Sequence, residues 1–157
     1  MLFFHNGDVF NCPLSHSMAH CISGDAKMSK GIAVQFVEKF PVLAKLRKVT
    51  NPVGTAVPVS VGTRVIHCLV SKKRFWMKPT TSTLYKCLYS MFCHARLNAV
   101  TDISVPKLAS GCDKMSFEWV NQILGKIFSD HVINLHVYFY GSVPRYVVLQ
   151  FKADAGL

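Results

Sequence analysis

Residues 19–25, Ala-His-Cys-Ile-Ser-Gly-Asp, set an apolar run against a polar loop that contains a glycine. The chain then passes Met28 and Gly31 into a stretch that places Ile32, Phe36 and Phe40 on one helical face. A strand, a glycine-bearing loop and a helix N-terminus, in that order, build a cradle for phosphate, because backbone N–H groups and the positive end of the helix dipole converge there. Three further segments carry polar groups suited to surround such a cradle: Gly7-Asp8-Val9-Phe10, Ser71-Lys72-Lys73-Arg74, and Pro106 to Asp113. Each also has a plain structural reading. An aspartate after a glycine suits a turn, and a lysine–arginine triplet is most often a solvated turn.

These segments must be positioned by a folded chain, and the composition supplies one. Half of the 157 residues are apolar and 17% are charged, which describes a globular protein able to bury its own core. The length predicts a single domain over residues 1–157. The formal charge of +10 attracts polyanions such as nucleic acid, acidic membrane or a phosphate-bearing ligand, and serves solubility equally well. The six cysteines, at 12, 21, 68, 87, 93 and 112, include no C-x-x-C pair, and no histidine pair follows at finger spacing. We therefore expect reduced, mostly buried thiols and no structural metal. Leu2-Phe3-Phe4 is too short for a signal peptide, and no apolar run reaches membrane-spanning length. The expected setting is intracellular, cytoplasmic or nuclear, with no membrane contact.

Periodicity predicts strands over Leu2–His5 and Ser17–Ile22, a helix over Gly31–Phe40, and a short second helix from Pro41 through Leu46. Asn51-Pro52-Val53-Gly54 is turn chemistry. Val57–Val61 and Arg64–Val70 are β-rich and separated by Gly62-Thr63, as a hairpin or as neighbouring strands. Thr80 to Ser82 offer an N-cap to a helix whose stripe is Leu84, Cys87, Leu88, Met91, Phe92 and Ala95. Asp102–Val105 reads as a strand ending at Pro106, and Ser116–Ser129 as a helix that Ser116 can cap. Ile133–Tyr140 is a further strand, and Tyr146–Phe151 a last one that Pro144 marks as a sheet edge. Alternating strands and helices predict an α/β fold, a mixed and mostly parallel sheet flanked by helices on both faces. Ligands of such sheets bind at strand carboxyl ends, where the segments ending in Ser23, Ser71 and Pro106 lie.

Read in order, these segments resemble the macro domain family, and within it the ALC-like branch of terminal ADP-ribose protein glycohydrolases. The resemblance rests on Gly7-Asp8-Val9-Phe10 with Cys12-Pro13, and on Ala19 to Ser23 with Asp25 and Met28. Gly31-Ile32-Ala33, Phe36 and Phe40 continue it, followed by Lys72-Lys73-Arg74, Lys78-Pro79-Thr80 and Thr101-Asp102. Ser104, Pro106, Gly111, Asp113, Glu118 and Val137-Tyr138 complete it over roughly residues 4 to 140. It implies a three-layer α/β/α macro domain with its core over 1–140, to which this chain would add a C-terminal extension over 141–157 that carries an edge strand over 145–151.

The resemblance also implies roles. Asp8 would hold the adenine amino group, with Val9 beside the ring and Tyr138 flanking it. Ser23, Ser29, Lys30, Gly31, Ile32 and Ala33 would line the distal ribose and pyrophosphate. Pro106, Leu108, Ala109, Ser110, Gly111 and Cys112 would form a second phosphate loop. Lys72 would be the nucleophile on the anomeric carbon, and Asp113 would handle protons and sugar hydroxyls. A lysine attacks only as a neutral amine, so such a site must favour the uncharged form against an ordinary value near ~10.4. The chain departs from the family in carrying Ser29-Lys30-Gly31 where Gly-Ala-Gly is usual, and Ala109 where glycine would give more backbone freedom.

Three functions follow as expectations. The first is hydrolysis of ADP-ribosyl esters of glutamate or aspartate, with deacetylation of O-acetyl-ADP-ribose as a side activity. The second is an ADP-ribose reader without turnover; retention of both Lys72 and Asp113 argues for the first. The third is a nucleic-acid binder using the positive charge, with Phe75 and Trp76 beside the basic triplet as a stacking surface, unless those rings form a rim over the cleft or pack beneath the next helix. The expected partners are ADP-ribose and ADP-ribosylated proteins, with weak nucleic-acid or poly(ADP-ribose) contact through the basic surface. A monomer needing no cofactor is expected.

Overall fold

A computed structural model describes residues 1–108, 116–129 and 132–140. Its six strands are β1 (Leu2–Asn6), β2 (Ser17–Ser23), β3 (Ala56–Val61), β4 (Arg64–Lys72), β5 (Asp102–Pro106) and β6 (Asn134–Phe139). They form one sheet in the order β1-β6-β5-β2-β4-β3. Every pairing is parallel except β3 with β4. That pair is a hairpin closed by Gly62-Thr63, with Gly62 at φ 63°, so of the two sequence readings the hairpin is the one formed. The edge strand expected over 145–151, with Pro144, lies outside the described residues.

Three helices, α1 (Ile32–Lys39), α2 (Thr81–Leu97) and α3 (Phe117–Ile127), cover the sheet. Thr80 accepts from the Thr83 N–H while the Thr83 hydroxyl accepts from the Thr80 N–H, a reciprocal cap that satisfies two first-turn donors of α2. The predicted stripe of α2 is buried in full and packs with Val120, Ile123, Leu124 and Ile127 of α3 against Leu135, Val137 and Phe139 of β6. The opposite face is a second core, where Phe36 of α1 meets Met18, Ile22, Ile66 and Val70. Each fully buried side chain of this size contributes about 1.5–3 kcal/mol.

Two local expectations are corrected. The segment after Pro41 is a 3-10 helix running to Lys48, past Leu46, because Leu43 and Leu46, three residues apart, are the pair that reaches the core. Ser116 occupies the N-cap position of α3 but makes no capping hydrogen bond; Glu118 supplies the negative charge in the first turn instead. Five cysteines fall among the described residues and are unbridged, as expected of reduced thiols, and burial pushes the Cys68 thiol up to about 12. No helix among the described residues is long and apolar enough to cross a membrane.

His20 sits fully buried between the sheet and α1, stacked on Phe36 with centroids 4.1 Å apart and planes 3° from parallel. Burial drops its pKa from 6.5 to about 3, and burial with the nearby His94 drops His67 to about 4. Both are neutral when folded and would rather be protonated when unfolded below 6.5. Stability is therefore lost as pH falls from 6.5 towards the folded values, at roughly 1.4 kcal/mol per pH unit per group. His20→Phe keeps the stack and removes the titration. Its denaturant midpoint should fall less steeply than that of the parent between pH 6.5 and 4, whatever its absolute stability. Equal slopes would mean that His20 is not buried neutral.

Candidate functional site

The carboxyl ends of β2, β4 and β5 open into a cleft of about 640 Å³, beside a second of about 370 Å³. The two share Ile32, Pro106, Tyr138 and Tyr140, so they adjoin. Ser23, Ser29, Lys30, Gly31, Ile32, Ala33, Lys72, Pro106, Leu108 and Tyr138 line the larger. Asp8 and Val9 line the smaller. Residues drawn from five separate stretches of sequence thus converge on one concave surface. Ala109, Ser110, Gly111, Cys112 and Asp113 lie outside the described residues.

Lys72 owes its place to a break in strand register. Ile22 pairs with Val70, but Ser23 pairs with Lys72, so β4 bulges at Ser71. A bulge re-aims the side chains that follow it, and here it brings the Lys72 backbone level with Ser23. The Gly24 N–H donates to the Lys72 carbonyl at 2.8 Å and holds the junction. Ser71, fully buried, lines the cleft floor, and its hydroxyl has no hydrogen-bond partner among the described residues.

The loop from Gly24 to Gly31 is tightly determined. Ala26 and Met28 both adopt φ 49°, a left-handed conformation that costs of order 1 kcal/mol without glycine. Both side chains are buried in the second core, which compensates. Arg47 donates to the Ala26 and Lys27 carbonyls, and Asn51 Nδ2 donates to the Gly24 and Leu46 carbonyls at 2.9 Å each. Gly31 precedes α1 at φ 62°, ψ −144°, where an L side chain is disfavoured, and no side chain caps the helix. Among the described residues no side chain caps the first N–H groups of α1, and Gly31, Ile32 and Ala33 line the cleft.

Asp25 joins this loop to the one after β4. Ser23 Oγ donates to Asp25 Oδ1, and the Phe75 N–H donates to Oδ2 at 3.2 Å. Burial pushes the Asp25 carboxyl upward, but the Ser23, Phe75 and Lys27 hydrogen bonds and the Arg74 charge hold it below its ordinary value. Phe75 and Trp76 stand at the cleft rim rather than beneath a helix; Trp76 is 72% exposed, and Lys27 Nζ lies 4.9 Å over the Phe75 ring. In the smaller cleft Asp8 Oδ1 accepts from the Phe10 N–H at 2.9 Å. Its turn role and its cleft position coexist. The family resemblance gave no role to Ser71 or Tyr140. Tyr140 was legible as the residue two beyond Tyr138, on the same face of a strand.

No protein-family model matches the chain. It is 38% identical over 132 residues to human ADP-ribose glycohydrolase OARD1, an alignment covering 84% of this chain and 87% of that protein. The macrodomain of Mycobacterium tuberculosis DarG superposes with a TM-score of 0.82 at 20% identity, over 88% of this chain and 97% of that one. Thermosipho africanus DarTG, solved in complex with ADP-ribose, superposes with a TM-score of 0.79 at 13% identity, over 92% of this chain and 44% of that one. At these identities the two structures establish the fold.

The close approach at Gly24 can be tested directly. A Cβ there would lie 2.9 Å from the Lys73 carbonyl oxygen and 3.0 Å from that of Asn51, both backbone atoms. Gly24→Ala should cost about 1–3 kcal/mol in urea unfolding. Gly125→Ala, in the last turn of α3 with open space around it, should be neutral or gain up to about 1 kcal/mol. Equal behaviour of the two variants would contradict the packing described.

Proposed function

The chain belongs to the macrodomain family that includes ADP-ribose glycohydrolase OARD1, and on that footing we propose that it binds ADP-ribose and hydrolyses it from modified glutamate or aspartate side chains. The observation that carries this reading is the cleft in which Lys72, at the bulged end of β4, shares a wall with the uncapped N-terminus of α1.

Two adjoining clefts suit an elongated ligand with a base at one end and a sugar at the other. Asp8 accepts from the adenine amino group beside Val9, and Tyr138, which lines both clefts, flanks the base. The Gly31 and Ile32 N–H groups and the α1 dipole take the pyrophosphate, and Ser29 and Lys30, exposed at the edge, add a donor and a charge. Ser23 lies against the distal ribose. The Lys72 amine attacks the anomeric carbon. A C–N bond forms, the ester C–O bond breaks, and the protein carboxylate leaves with the electron pair. Asp113 takes up the amine's proton, which solvent can also accept, and returns it as water releases ADP-ribose from the lysine, the step that depends on the carboxylate. O-acetyl-ADP-ribose is an ester of the same sugar and fits the same cleft. The partners are ADP-ribosylated proteins, whose modified segment would pass Phe75 and Trp76.

Glutamate-linked ADP-ribosylated protein, incubated with the chain, should release ADP-ribose. Lys72→Ala and Lys72→Arg should each lose at least about a hundredfold in rate. Both should retain the thermal shift that ADP-ribose gives the parent, since a ligand of the native state raises the melting temperature. Full release by Lys72→Ala would rule out the amine as nucleophile, and binding without release by the parent would leave a reader. Asp8→Ala should weaken binding by about 1–3 kcal/mol, the cost of an unpaired donor in a desolvated pocket, as isothermal calorimetry would register.

A further inference from the structure

On the α1 side of the sheet, away from Lys72, His16, Asp102 and His136 bring one ligand atom each to within 4.8 Å of one another. His136 Nε2 lies 2.9 Å from Asp102 Oδ1, and His16 Nε2 lies 3.9 Å from the same oxygen. We propose that these three side chains bind a borderline divalent cation of the zinc type, with a fourth position left for water.

The donor set and its spacing carry the proposal. Two imidazoles and a carboxylate, with an open position, suit zinc and its neighbours among the first-row metals. Ligand bonds of about 2.0–2.1 Å in a tetrahedron place ligand atoms roughly 3.3 Å apart; the separations of Asp102 from His136 and His16 bracket that value, and all three atoms lie within 4.8 Å, so the histidines close in modestly on an ion. Both histidine side chains are 13% exposed and the aspartate 28%, so an ion can enter without unfolding.

Each ligand is also oriented from behind, as metal sites require. The Nδ1 atom of His16 lies 2.9 Å from Ser104 Oγ, and that of His136 lies 2.9 Å from His5 Nε2. Asp102 accepts from Thr101 Oγ1 at 3.0 Å and from Asn134 Nδ2 at 3.3 Å. When His16 donates Nδ1–H to Ser104, its Nε2 lone pair faces the Asp102 carboxylate, two acceptors that a cation between them would reconcile. His136 frees its own Nε2 by moving the proton to Nδ1, where His5 Nε2 can accept it. No net proton is lost.

An ion here would also have structural work. It would join the segment before β2 to β5 and β6. The β2–β5 seam is thin, with only Ser17 opposite Ile103 and Met18 opposite Ser104. Three residues at positions 16, 102 and 136 leave no motif in the sequence, which is why composition and spacing pointed away from a structural metal.

The test titrates chelator-treated full-length protein with cobalt and with zinc, in the absence of ADP-ribose. Cobalt should bind one equivalent and give visible d–d absorption without a thiolate charge-transfer band, and zinc should raise the melting temperature. His16→Gln and Asp102→Asn, checked for folding by circular dichroism, should each weaken cobalt binding about tenfold or more and remove the zinc shift. His16 precedes β2, so its variant carries the test if Asp102→Asn does not fold. Absence of any cobalt spectrum, a thiolate band, or unchanged binding in His16→Gln would each overturn the assignment. None of these readouts depends on turnover of ADP-ribose.

Discussion

One break in register organises the cleft. Because β4 skips Ser71 against β2, Lys72 rather than Ser71 stands opposite Ser23, and the Gly24 N–H closes on the Lys72 carbonyl. A Cβ on Gly24 would meet the Lys73 and Asn51 carbonyl oxygens, so the junction closes this tightly only with glycine there. From this junction the Gly24–Gly31 loop leads one way to α1, and the Lys73–Pro79 segment leads the other way to α2. Asp25 ties the two outgoing loops together through Ser23 and the Phe75 N–H. A shift of one residue here would turn the amine away from the cleft and move the start of α1 with it.

The rest of the fold keeps that junction still. Two cores press on the sheet from opposite faces, so the strand ends have no freedom to slide. The left-handed Ala26 and Met28 are tolerated because their side chains are buried and because Arg47 and Asn51 take the carbonyls that the loop exposes. Binding groups on a loop so determined lose little conformational entropy when a ligand arrives. The basic chain adds long-range attraction for the pyrophosphate, which raises encounter rates more than it fixes a pose.

Much of this was legible in the sequence. The α2 stripe and its Thr80 cap, the two strands flanking Gly62-Thr63 and the alternation of strands and helices follow from periodicity and turn chemistry, and the segments around Asp8, Ser23, Gly31 and Lys72 pointed to one end of the sheet. Other features had no local signature. A bulge at Ser71 is a one-residue change of pairing, and pairing is a property of two strands. Left-handed Ala26 and Met28 are set by tertiary packing against their own preference. Eight residues from Pro41 to Lys48 are too few for apolar spacing to separate a 3-10 helix from an α-helix. Asp8 shows a different limit: the turn reading and the ligand reading were posed as rivals, and one oxygen caps the turn at Phe10 while the carboxylate lines the cleft.

The account turns on the Lys72 amine forming a bond to the sugar. Asp113→Ala, expected to slow resolution of that bond, should let it accumulate. Intact-protein mass spectrometry of this variant with glutamate-linked ADP-ribosylated substrate, followed by peptide mapping, reads the bond directly. The account predicts one added ADP-ribose unit per chain, located on Lys72 and absent from the Asp113→Ala/Lys72→Ala double variant. An adduct on another residue, or rapid release of ADP-ribose by the double variant, would contradict it.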